Sequence, residues 1–135
     1  MFRALISTVA SVALSTFAAA AENDLDKLHG TWVVVSAELD GSEAKCELKK
    51  GDKLLFDGTK YKFEAKHFPE SGTFSVDPKT KPKEIDFLDT KDKKSHGIYD
   101  LSGEELTLCF ADSERPKQFK SSKVAMLVHL KLEKK

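Results

Sequence analysis

The stretch "LHGTWVVVS", Leu28 to Ser36, decides how the rest of the chain is read. A glycine and the chain's one tryptophan flank a single residue, and an apolar, β-branched run follows. Branched and aromatic side chains fit a pleated, half-buried surface, so Thr31 to Leu39 is predicted to be a strand. Asp40-Gly41 supplies the turn that ends it.

Toward the C-terminus the same pattern recurs. Short alternating runs span Lys53–Asp57, Lys60–Lys66, Gly72–Asp77, Pro82–Phe87, His96–Leu101, Glu104–Phe110 and Val124–Leu132. Alternation puts Tyr61, Phe63 and Ala65 on one face of their strand, with Lys60, Lys62, Glu64 and Lys66 on the other. Asp57-Gly58 and Ser102-Gly103 are hairpin turns, and Pro78 closes its strand because proline cannot donate to a ladder. Ser42 to Lys50 mixes Glu, Ala, Lys and Leu and is expected to form one or two helical turns capped by Ser42. About eight strands joined by short turns, with almost no helix, make an all-β chain. The spacing has no room for parallel crossovers. Eight antiparallel strands in sequence order predict an up-and-down barrel, with a two-sheet sandwich as the rival.

Toward the N-terminus the character changes. Met1-Phe2-Arg3 is followed by the apolar Ala4 to Leu14 and then by small residues up to Ala21. This is the pattern of a secretory signal peptide, cleaved after Ala20 or Ala21. The apolar run is short of the roughly 20 residues that a membrane span needs. Residues 1–21 are therefore assigned to the signal, and residues 22–135 to a single exported domain, periplasmic or extracellular. The chain has 22 basic and 22 acidic residues, and only Arg3 leaves with the signal. The remainder has no basic excess to hold nucleic acid, and its scattered lysines read as a solvated surface and guarded sheet edges.

In this context the Gly30-Thr31-Trp32 triplet on the first strand resembles the Gly-x-Trp motif of lipocalins. The phrases "LHGTWVVVSAELDG", "PKEIDF", "GIYDLSGEELTLCFA" and "ERPKQF", in this order, resemble a planctomycete-type family of small exported lipocalin-like domains. The resemblance implies a lipocalin-like β-barrel and no particular activity. It also implies that Trp32 packs at the closed base, with a late basic residue over its ring: Arg115, or a lysine of the last strand. The chain departs from typical lipocalins in being shorter, in having no Thr-Asp-Tyr motif and in having no long helix before its last strand. Each departure argues against a large cavity.

The expected inward set is aromatic. Tyr61, Phe63, Phe74, Phe87, Tyr99 and Phe110 would line a small pocket for a hydrophobic ligand, with the two phenols orienting it. The same rings could instead fill the barrel, leaving a structural or protein-interaction domain of the cell envelope. No catalytic signature is found. His29, His67, His96 and His129 are scattered, without metal-ligand spacing, and there is no nucleophile elbow or phosphate loop. No enzyme activity, metal or cofactor is expected. Cys46 and Cys109 would either pair, as export permits, or remain separate thiols, with Cys109 on the outer face of its strand.

Overall fold

The computed structural model describes residues 24–134. The expected signal segment 1–21 lies outside them. Eight strands, β1 (Gly30–Leu39), β2 (Lys53–Asp57), β3 (Lys60–Glu64), β4 (Glu70–Asp77), β5 (Lys83–Asp89), β6 (Lys94–Ser102), β7 (Glu105–Ala111) and β8 (Ala125–Leu132), follow one another around a closed antiparallel barrel. β1 pairs with β8 as well as with β2, so neither terminal strand is left as an edge. The sandwich alternative does not occur.

The barrel forms where alternation is strong. β3 buries Tyr61 and Phe63 and exposes Lys60, Lys62 and Glu64, and the buried face continues to Ala65. Two-residue turns join β2 to β3 and β6 to β7, and Gly58 and Gly103 take the positive φ of 61° that such turns demand. One strand breaks the rule of two. A bulge between Val34 and Ser36 leaves Val35 unpaired, so the buried positions of β1 change from Trp32 and Val34 to Ala37. Three consecutive valines hide this shift from the sequence.

Antiparallel meandering sorts the connections between two ends. The base carries the 58–59, 78–82 and 103–104 turns and a short helical segment, residues 24–28, that leads into β1. The sequence reading missed this segment, although Leu25 and Leu28 have helical spacing. The opposite end carries connections 40–52, 65–69, 90–93 and 112–124. Residues 43–50 are turns and bends, not the expected helix: Asp52 Oδ2 accepts the Lys49 backbone N–H, and Cys46 and Leu48 are buried with the barrel core.

Both ends are thereby closed. Leu28 and Trp32 are wholly buried at the base, where the Trp32 indole N–H donates to the Leu28 carbonyl at 2.8 Å. A second, smaller cluster lies on the outer wall. Ile98, Cys109 and Leu127 stand in one row across β6, β7 and β8, and with Ala111 and Ala125 they are buried outside the barrel. The 112–124 connection, here the strap, covers them, and the Cys109 thiol donates to the Lys120 carbonyl at 3.3 Å.

Candidate functional site

The six predicted pocket residues do come together inside the barrel. Tyr61, Phe63, Phe74, Phe87, Tyr99 and Phe110 are each no more than 4% exposed. Most of them meet other rings. Tyr61 and Phe87 have ring centroids 4.7 Å apart, and Phe87 and Phe110 are 5.7 Å apart. Phe63 has Phe68 at 5.1 Å, and Phe74 has Phe56 at 4.6 Å. These separations are those of rings in contact.

The two phenols are equally engaged. Tyr99 donates to Asp24 Oδ2 at 2.6 Å, and Tyr61 donates to Glu70 Oε2 at 2.9 Å. Burial, and then the partner carboxylate, pushes both phenol pKa values upward, so each stays a donor. Among the described residues no buried side-chain nitrogen or oxygen lacks a partner. An incoming polar ligand would meet no free group there.

Asp24 links the base together. It is 6% exposed, takes the Tyr99 hydroxyl, and pairs with Lys83 Nζ at 3.2 Å, while the same ammonium lies 5.8 Å over the Tyr99 ring. Neither Asp24 nor Lys83 was among the predicted site residues. Spacing could have flagged Asp24 as the start of a helical turn, but not its partners 59 and 75 residues away. Tyr99→Phe leaves a buried carboxylate one donor short. We expect it to lower stability by about 1–3 kcal/mol, read from the urea midpoint at an unchanged slope.

At the opposite end the inward residues turn polar. Glu70 accepts from Tyr61, the buried Ser95 hydroxyl donates to Asp112, and Lys93 pairs with Asp112 at 2.9 Å. A cleft of about 500 Å³ opens here, with Phe63, Glu70, Asp89, Lys91 and Lys93 on its walls. Burial, aided by Asp89 and Asp112, raises the Glu70 pKa above its ordinary 4.5, against the Tyr61 bond and Lys93, which lower it. The fold therefore favours the neutral acid. That preference stabilises fully below pH 4.5 and is lost as the pH rises through the folded value. Glu70→Gln keeps an acceptor for Tyr61 without the charge. Its stability advantage over the parent should open as pH climbs above 4.5 and close below it, in urea titrations at stepped pH. A difference that stays flat with pH would contradict this.

The expectation of a basic residue over the Trp32 ring is corrected, and the alternatives left open for the two cysteines are decided. Arg115 does not cover Trp32. Its guanidinium lies against β5 and β6, donating to the Ile85 and Gly97 carbonyls at 3.3 and 2.8 Å and pairing with Asp86 at 2.8 Å. No cation stacks on Trp32 among the described residues; the Leu28 carbonyl and apolar neighbours complete its surroundings. Cys46 and Cys109 are free thiols in two different clusters, so the pairing is not made. Burial raises both thiol pKa values, which keeps them protonated. Cys109 does face outward as expected, but the strap buries it. Gly30 keeps its marker position, with a φ of 135° at the entry to β1.

The histidines remain apart. His96 Nδ1 meets Asp86 Oδ1 at 2.9 Å on the outer wall, beside Arg115, and His29 is 3.7 Å from Asp57. Among the described residues no three His, Cys, Asp or Glu side chains gather as a metal site would need. In comparisons with known proteins, no family model, curated protein or solved structure matches the chain.

Proposed function

We propose that the chain is an exported lipocalin-like domain of the cell envelope whose barrel is filled and whose partners meet its outer surface. One observation carries this reading: the two phenols that would orient a ligand are spent on Asp24 and Glu70, and Tyr61 stands among rings packed on one another. Such an interior has the density of a core and none of the free polar groups that a ligand site uses. The closed sheet has no edge for strand addition, which leaves loops and the outer wall as the surfaces for recognition. A small hydrophobic ligand inside the barrel is the reading that this replaces.

Titration with an environment-sensitive apolar dye, followed through dye emission and Trp32 fluorescence, tests the proposal. No saturable binding is expected. Saturable binding of one dye per chain, weakened by Tyr99→Ala, would overturn it. Native mass spectrometry of protein from its own host adds a second test, because a co-purifying small molecule would restore the ligand reading. The same spectrum tests export, with a chain starting at residue 21 or 22 expected.

A further inference from the structure

The strap carries both unpaired charge and uncovered apolar surface. Its underside is fixed: Arg115 holds the Ile85 and Gly97 carbonyls, Lys120 accepts from Cys109, Gly41 N–H donates to Ser121 Oγ at 2.9 Å, and Asp40 N–H donates to the Ser122 carbonyl at 2.9 Å. Its outer side is open. Of the four exposed large hydrophobic residues described, Phe119 (37%) and Val124 (63%) both belong to the strap.

Lys117, Lys120 and Lys123 are exposed and form no ion pair among the described residues, whereas Asp112 and Arg115 are taken by Lys93 and Asp86. Of the nearby carboxylates, Asp40 is held by Lys45 at 3.3 Å, leaving Glu114 and Glu38 against the three lysines. The strap also curls around a cleft of about 580 Å³ whose walls include Lys117, Lys120, Ser121 and Ser122, with the carboxylate Glu114 and the Asp86-paired Arg115 also on them. Both serine oxygens accept backbone N–H bonds, from Gly41 at 2.9 Å and from Val124 and Ala125 at 3.3 and 3.1 Å. Their hydroxyl protons are therefore free for an acceptor in the cleft. Two ammonium groups and two hydroxyl donors suit a phosphate oxyanion.

We propose that the strap is a docking surface for an anionic phospholipid bilayer, with a headgroup phosphate in this cleft and Phe119 and Val124 at the headgroup–acyl boundary. The proposal rests on the outer-surface reading above and supplies its partner. An anionic lipid surface attracts lysines held close to it, and apolar side chains among them find the acyl boundary. A soluble acidic partner would pair the lysines and leave Val124 in water.

Flotation with vesicles tests it, using the protein purified from its own host. It should float with phosphatidylcholine vesicles containing phosphatidylglycerol, stay down with phosphatidylcholine alone, and release as salt rises. Changing Lys117, Lys120 and Lys123 together to Gln should weaken partitioning about a hundredfold, roughly fivefold per lysine. Val124→Ser should weaken it while leaving the salt dependence intact, and serves alone if the triple variant misfolds. Lys60, Lys79 and Lys81 changed to Gln at the base should leave it unchanged. Flotation on neutral vesicles, no flotation at all, or equal losses from strap and base variants would overturn the proposal. So would glycerol phosphate in solution binding as tightly as the vesicles, which would mark a simple anion site. Failed flotation with no dye binding sinks lipid docking alone; saturable dye binding sinks the filled-barrel reading beneath it.

Discussion

Replacing Phe63 by Ala should lower stability by about 3–5 kcal/mol and give the protein a cavity that it does not now have. Phe63 touches four other rings: Tyr61 at 6.0 Å, Phe68 at 5.1 Å, Phe110 at 6.2 Å and Phe87 at 6.3 Å. Phe87 and Phe110, anchored on β5 and β7, cannot both collapse into the space. A loss of this size is a large part of the roughly 5–15 kcal/mol available to a domain. The space left would border the cleft on whose wall Phe63 stands, would be lined otherwise by the remaining aromatic faces, and would admit a benzene-sized molecule. Urea midpoints with and without benzene measure both effects. Benzene should raise the midpoint of the variant and leave that of the parent unchanged. A loss below about 1 kcal/mol would mean that the interior is not close-packed, and the filled-barrel reading would fall with it.

Gly72→Ala should be nearly as damaging, by about 3 kcal/mol or more, although it adds a single methyl group. Gly72 faces Asp89 across β4 and β5, and a Cβ there would lie 2.0 Å from the Leu88 carbonyl oxygen and 2.7 Å from the Asp89 Cα. Both are backbone atoms, so no side chain can rotate away. The two strands would have to separate, disrupting the ladder that they share. Ser71→Ala, one residue earlier, is the control and should change stability by less than about 0.5 kcal/mol. Thermal unfolding compares the two. Equal melting temperatures would refute the close approach.

The same two positions show what could be read in advance. Phe63 announced its direction because Lys60, Lys62 and Glu64 alternate with it, and only one face of that strand can be buried. Strand order followed, since short turns allow few routes other than neighbour to neighbour. Gly72 announced nothing. A glycine in a strand is silent about what lies opposite until the register is known. Arg115 misled for a related reason: its partners are two backbone carbonyls and a carboxylate that only the closed sheet brings together. The helical pattern expected for residues 42–50 gave way because Cys46 and Leu48 are buried in the core and Asp52 takes the Lys49 N–H, a tertiary demand that outweighs weak local propensity. The aromatic set was legible as inward-facing. Whether those rings enclose space or fill it depends on ångström-scale distances between strands, which composition does not contain.

The seam between β1 and β8 has a consequence in time. Trp32 faces Leu132 across it, and Ala37 faces Val128. The first strand to leave the ribosome therefore waits for the last one before its second edge is paired. Until residues 125–132 emerge, any partial sheet carries open edges on β1 and β7, and the strap has no outer wall of β8 to cover. The nascent chain is thus kept from premature closure by its own connectivity. Under the proposed export this delay would suit a chain crossing a membrane as an extended thread, because the closed barrel becomes available only once β8 has been made.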